Sequence, residues 1–203
     1  MLHVVKLGGS LLDAPDILRS WLRPIAGAGG RLVVVPGGGP FADAVRIAQQ
    51  KTGIDDRTAH RMALVAMEQY GLLLSSLAPS LVPVDTLNAL RDALGCERVP
   101  VWMPSRMVAD AKGIDESWEV TSDSLAAWLA RELGAAMLWL VKSCAVAVQD
   151  ARQLAELGVV DDAFPRFVEA SDYAVQVLGP GDVNLLTAAL HRRDVTPMPA
   201  ARP

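Results

Sequence analysis

The sequence predicts an α/β fold built on a mainly parallel sheet with helices on both faces. Three observations lead there. Apolar runs such as RLVVV (31–35) and AMLWLV (136–141) are continuous rather than alternating, as strands covered on both faces are. These runs take turns with stretches of helical periodicity along the whole chain. Two of them end in glycine clusters, KLGGS and VVVPGGGP, which punctuate strand-to-helix turns.

Taken in order, LHVVKL (2–7) reads as a buried strand because a short β-branched run stops at glycine. SLLDAPDILRSWLRPIA follows with helical spacing, which Pro15 should break or restart. GAGG (27–30) is punctuation, RLVVV the second strand and FADAVRIAQQ a helix. The segment Arg57 to Leu77 carries apolar residues on more than one face, so it is expected to be a long helix with one side on the core and another free for a subunit interface. A homodimer or higher homo-oligomer is therefore expected. His60, within it, reads as a packed or interfacial histidine rather than a ligand.

SLVPVDTLNALRDAL suggests a short strand and a helix, and VPVWMPSRMVA a strand leaving through Pro104 into a loop. SWEVTSDSLAAWLARELG is the clearest capped helix: Thr121, Ser122, Asp123 and Ser124 offer cap oxygens, and Leu125, Trp128, Leu129 and Leu133 form a stripe that stops at Gly134. AMLWLVKS is another buried strand. DARQLAELG and VVDDAFPRFVEAS look helical or mixed, DYAVQVLG is a strand, and GDVNLLTAALHRR a last helix begun by Asp182. The tail VTPMPAARP should fray.

The composition bounds the function. The chain has 203 residues, 51% of them hydrophobic and 21% charged, which suits one packed domain over residues 1–203. A net charge of −4, with acids and bases interspersed, offers no basic stripe for a nucleic-acid partner. No apolar run approaches the ~20 residues that span a bilayer, so a cytoplasmic protein without a membrane partner is expected. Cys96 and Cys144 make neither a CxxC nor a metal spacing with His3, His60 and His191, and both are expected to be reduced and structural. No metal-ligand set is visible.

Ligands of open parallel sheets collect at the carboxyl ends of the strands, where both glycine clusters lie. There, backbone N–H groups and a helix N-terminus can hold a phosphate, and Lys6, just before the first cluster, can add a full charge to a phosphoryl group in flight. A Walker A loop is excluded, because GxxxxGK[ST] occurs nowhere. GGGPFA does satisfy GxGxxA, so a dinucleotide fold is a rival. Its expected downstream acids, Asp55 and Asp56, lie in a helix lead-in rather than at a strand end. Glycines serving only tight turns would explain either cluster singly, but not two with a lysine. Asp123 could be a helix cap, or it could pair with Lys6 and keep it charged in a dry site.

KLGGS, VVVPGGGPFAD about thirty residues on, and TSDSLAAWLA before a hydrophobic strand together resemble the amino acid kinase superfamily, which includes the acetylglutamate, carbamate, aspartate and uridylate kinases. More narrowly, the short length, GIDDRTAHRMALVAMEQYG, SWEVTSDSLA and VVDDAFP are similar to the small kinases of methanofuran-type cofactor biosynthesis, which phosphorylate (5-(aminomethyl)furan-3-yl)methyl phosphate to its diphosphate. The resemblance implies a three-layer αβα sandwich whose N-terminal half binds the acceptor and whose C-terminal half binds ATP and Mg²⁺. By motif it implies that Lys6 stabilises the transferred phosphoryl group and that Gly8, Gly9 and Ser10 cradle phosphates. It implies further that Gly37, Gly38 and Gly39 hold the acceptor, that Ser122 lies beside it, and that Asp123 organises the lysines. Ser143, Arg166, Gly179, Gly181 and Asp182 fall on the nucleotide side.

The chain departs from the family there. VKSCAVAVQDA stands where relatives carry a TD-x-DG-like loop, and DDAFPRFVEA offers Arg166 and Glu169 in place of a second lysine. Lys142 or Arg166 is expected to supply that charge. Two functions follow: an ATP-dependent kinase acting on a phosphorylated small-molecule acceptor, or a binding protein on the same fold that has lost catalysis with its nucleotide loop. Lys6 and Asp123, neither needed for folding, favour the kinase.

Overall fold

The computed structural model describes residues 1–109, 111–169 and 171–191. The tail VTPMPAARP and the end of the last helix, Arg192 and Arg193, lie outside them. Six strands, β1 (His3–Leu7), β2 (Leu32–Pro36), β3 (Leu81–Val84), β4 (Val99–Trp102), β5 (Met137–Val141) and β6 (Ala174–Leu178), form one sheet in the order β3-β4-β2-β1-β5-β6. Every pairing is parallel. The chain thus starts near the centre, passes through β2 to the edge strand β3, returns to lay β4 between them, and crosses back to place β5 and β6 on the other side of β1. The reversal puts a crevice at the carboxyl ends of β1 and β5, the place where doubly wound sheets bind ligands.

Nine helices connect the strands among the described residues: α1 (Pro15–Ala26), α2 (Gly39–Thr52), α3 (Asp56–Leu77), α4 (Leu87–Gly95), α5 (Ser105–Ala109), α6 (Ser122–Glu132), α7 (Ala151–Glu156), α8 (Phe164–Val168) and α9 (Val183–His191). Pro15 restarts the chain as expected, at the first position of α1 after a 3-10 turn at Gly9–Asp13, where its missing N–H has no helical use. The segment after β4 corrects the sequence reading. Instead of a loop, Ser105–Ala109 is a helical turn whose first bond runs from Val108 N–H to the Pro104 carbonyl. Proline blocks only the donor that a first turn does not need.

Alternation along the strands separates two cores. Val5 and Leu7 of β1, Val34 of β2 and Trp139 and Val141 of β5 join Leu18, Trp21 and Ile25 of α1 and Leu186 and Leu190 of α9. Val4, Val33, Leu138 and Leu140 face the other way, against Leu125, Ala126 and Leu129 of α6. The long helix α3 serves both cores, giving Leu64 and Met67 to one and Tyr70 and Leu74 to the other. It leaves Met62, Val65, Leu72 and Leu77 exposed. Cys96 and Cys144 are free thiols, but both are exposed, so neither is the packed structural cysteine that was expected. No helix among the described residues is long and apolar enough to cross a membrane.

Candidate active site

The register of β1 and β5 assembles the site. Val4 pairs with Leu138 and Lys6 with Leu140, so these four residues share the face covered by α6. Lys142, two residues beyond Leu140, continues that face. Lysines from adjacent strands therefore enter the same crevice, opposite the first turn of α6, which carries Asp123. The Lys6 ammonium lies 2.8 Å from Asp123 Oδ1. That of Lys142 donates to both carboxylate oxygens, at 2.9 Å to Oδ1 and 2.8 Å to Oδ2. The side chains of Lys6, Asp123 and Lys142 are only 6%, 7% and 12% exposed. Burial by itself would raise the Asp123 pKa, but the ammoniums of Lys6 and Lys142 outweigh it and hold the carboxyl down at about 2. Burial, aided by Lys6, pushes Lys142 down to about 8 against the pull of Asp123.

The capping of α6 differs from the sequence reading. Neither Thr121 nor Asp123 caps it. The Asp161 carboxylate, from the loop before α8, accepts from the backbone N–H groups of Thr121 and Ser124, each at 3.0 Å, and from the hydroxyls of Thr121 at 2.8 Å and of Ser124. One distant acid thus satisfies two orphan donors of the helix end and frees Asp123 for the lysines. Burial and the neighbouring Asp123 raise the Asp161 pKa, while its bonds to Ser124 and Thr121 oppose the rise. Asp161 was not picked out from the sequence. The acidic pair in VVDDAFP was its only signal, and nothing local ties it to a helix some forty residues earlier.

The two glycine clusters lie against each other. A Cβ on Gly39, which has φ +52°, would stand 2.8–3.0 Å from the backbone of Gly9, and one on Gly9 would overlap Gly39 outright. Glycine is thus required here for close packing of two turns as well as for any ligand. Two expected cradle amides are already committed: Gly8 N–H donates to the Val141 carbonyl and Gly37 N–H to that of Leu7, both at 2.9 Å. Gly9, Ser10, Gly38 and Gly39 lie at the starts of helical turns, whose first N–H groups have no intrahelical acceptor.

A cavity of about 250 Å³ has Ser10, Gly38, Gly39 and Ser122, the chain neighbour of Asp123, in its wall, together with Asp43, Arg46, His60, Trp118 and aliphatic residues of α3 and α6. Ser10 Oγ lies 2.8 Å from Ser143 Oγ, which joins the turn after β1 to the one after β5.

Other expected nucleotide residues have local employment. Arg166 pairs with Asp115 on the surface and lies over the Phe167 ring, while the second ammonium on Asp123 is that of Lys142. Gly179 N–H donates to Asp182 Oδ2 at 2.8 Å, and Gly179 packs against the Cys144 carbonyl. Gly181 borders open space.

Two buried ammoniums meet at Asp123 on the strand ends, while the nearby Asp161 is held by donors of α6, and ammoniums so placed can face a phosphate. The same residues do not form a protein-held Mg²⁺ site. The oxygens of Asp123 are taken by ammoniums and those of Asp161 by helix donors, and the described residues gather no group of three acids, histidines or cysteines.

The model of the family described as "Amino acid kinase family" matches residues 1–146. The chain belongs to the amino acid kinase family. Over 133 residues it is 29% identical to the [5-(aminomethyl)furan-3-yl]methyl phosphate kinase of Methanocaldococcus jannaschii, a match covering 65% of this chain and 61% of that relative. Among solved structures, uridylate kinase from Archaeoglobus fulgidus aligns with a TM-score of 0.69 at 21% identity, over 94% of this chain and 95% of its own. Aspartate kinase from Synechocystis aligns with a TM-score of 0.63 at 16% identity, over 89% of this chain and 38% of its own. These likenesses bear out the family fold read from the glycine clusters and the TSDSLAA helix.

Proposed function

We propose that this amino acid kinase family member transfers the γ-phosphoryl group of ATP to a small phosphorylated acceptor, making a phosphoanhydride, and that the acceptor is an aminomethylfuran phosphate in methanofuran-type C1-carrier biosynthesis. The observation that carries the reading is the buried Lys6–Asp123–Lys142 group at the carboxyl ends of adjacent strands, with a cavity whose wall includes Ser122, the chain neighbour of Asp123. Phosphoryl transfer asks the protein chiefly for positioning and for positive charge around the three equatorial oxygens of the moving group. Lys6 and Lys142 supply that charge from adjacent strands, and the carboxylate they share holds both ammoniums in place before substrate arrives. The amides at the starts of the two glycine turns and the hydroxyls of Ser10 and Ser143 are placed to orient the phosphates on either side of the transfer.

Mg²⁺ neutralises nucleotide phosphates in such reactions, and in this chain it would be held by the nucleotide rather than by a carboxylate cage. The cavity supports the acceptor class. At about 250 Å³ it falls below the ~300–1,000 Å³ usual for drug-sized ligands and suits a single-ring molecule. The moderate similarity to the furan phosphate kinase points the same way. Exposed apolar residues on α3 support a homo-oligomer.

The test is direct: purified protein receives Mg-ATP and (5-(aminomethyl)furan-3-yl)methyl phosphate, with ADP release followed continuously and the product read by ³¹P NMR. Stoichiometric ADP and a pair of coupled diphosphate resonances are expected. Nucleotide binding without transfer to this or to any related phosphate would leave a binding protein instead.

A further inference from the structure

We propose that His60 is a specificity-determining residue of the acceptor cavity, its Nε2 accepting a hydrogen bond from a primary amine on the acceptor while the Asp43 carboxylate supplies the counter-charge. The inference rests on the kinase reading and names the group by which its acceptor is chosen. His60 lies on α3, is 3% exposed and lines the cavity. Its Nδ1 is 3.1 Å from the Ser117 carbonyl, in the loop before α6. A carbonyl only accepts, so Nδ1 carries a proton, and in that tautomer of the imidazole the lone pair is at Nε2. Among the described residues Nε2 has no hydrogen-bond partner although it is buried. An unpaired polar atom in such a place is costly and asks for an explanation; a donor on a bound ligand supplies one.

The rest of the wall selects the donor. Ser10, Gly38, Gly39 and Ser122 come from the two glycine turns and the first turn of α6, and the kinase reading leaves them to the phosphate being extended. Leu64, Met67, Val120 and Leu125 are aliphatic and suit the faces of a ring. Apart from two alanines, what remains is His60, Asp43, Arg46, Trp118 and Thr121, whose hydroxyl is given to Asp161. The Arg46 guanidinium sits 3.8 Å from the centre of the Trp118 ring, and the indole N–H donates to Gln49 Oε1 at 2.6 Å. The Arg46 charge is laid over the indole, and the acceptors left in this wall are the His60 lone pair and the Asp43 carboxylate. An ammonium meets two acceptors there. The ring orientation is fixed from outside the helix by Ser117, so the acceptor lone pair is in place before the ligand enters.

The experiment compares two probes by calorimetry without nucleotide: (5-(aminomethyl)furan-3-yl)methyl phosphate and the analogue with methyl in place of aminomethyl. The wild-type protein is expected to bind the amine probe about ten- to a hundredfold more tightly, the span of a hydrogen bond to a charged group. His60→Asn puts an amide N–H where Nδ1 was, keeps the donation to Ser117 and deletes Nε2. It should lower affinity for the amine probe about tenfold or more and leave the methyl probe within about twofold. The inference is overturned if the wild type binds both probes alike or neither, or if the variant loses both equally.

Should the variant fold poorly, ¹⁵N NMR of the wild-type imidazole decides. The Nε2 resonance should move with the amine probe and not with the methyl one, and an equal response to both overturns the inference. Turnover in the same samples keeps the two claims apart. Transfer without amine preference sinks this inference alone, whereas amine preference without transfer sinks the kinase reading alone.

Discussion

The depressed pKa of Lys142 makes a prediction in which activity and stability move in opposite directions. The lysine falls from the ordinary 10.5 to about 8, chiefly through burial and then through the Lys6 ammonium. At 1.36 kcal/mol per unit, the site disfavours the ammonium by about 3 kcal/mol relative to an exposed lysine. With a pKa of about 8, the side chain is about 90% charged at pH 7 and about 10% charged at pH 9. If the charge stabilises the moving phosphoryl group, kcat/KM, which reports the free enzyme, should fall about tenfold per pH unit above 8. In Lys142→Arg, whose guanidinium stays charged, that limb should move up beyond the measurable range.

Stability runs the other way. Below pH 8 the lysine is protonated folded and unfolded, and the native state carries the burial penalty in full. Between 8 and 10.5 the unfolded chain binds more protons than the folded one, so the free energy of unfolding rises with pH. Urea melts of the wild type, taken relative to Lys142→Met, should show the gain over that window. A kcat/KM that stays level from pH 7 to 9.5, or that falls identically in Lys142→Arg, refutes the assignment of the charge to Lys142.

Three further outcomes follow from the same geometry. Asp123→Asn leaves two buried ammoniums without their carboxylate and should cost about 2–3 kcal/mol in urea melts at pH 7, the size of the Asp123 shift at 1.36 kcal/mol per unit. Because the folded pKa of Asp123 is lowered, its contribution is complete above the unfolded value of ~4 and is lost as the pH falls through about 2, so wild type and variant should converge in acid. A pH-independent gap would assign the loss to packing instead. Gly39→Ala should destabilise by at least ~1–2 kcal/mol, since it meets both a positive φ and the Gly9 backbone, while Gly181→Ala, bordering open space, should stay within ~0.5 kcal/mol in the same thermal melts. Arg166→Ala removes a surface pair worth under ~1 kcal/mol and should leave the KM for ATP unchanged; a severalfold rise would return Arg166 to the nucleotide site.

Much of this was legible in one dimension. Continuous apolar runs and glycine punctuation sufficed for a parallel α/β sheet, and once the strands are in place period two puts Lys6 on one face with Val4, and Lys142 with Leu138 and Leu140. Motif order pointed to the kinase family and to Asp123. The short α5 was misread because proline looks like a terminator where it also starts a turn. Arg166 was offered beside Lys142 by its charge, and its surface partner Asp115 lies some fifty residues away.

What the residues by themselves determined is local: which segments are strands, which face each lysine takes, and where amides cluster. The tertiary structure alone decided that β5 lies beside β1, that Asp161 rather than a neighbour caps α6, and that the buried His60 faces a cavity with one nitrogen unpaired. Periodicity is a property of a few neighbouring residues, whereas strand order and register are set by how two cores fill, which depends on side chains more than a hundred positions apart.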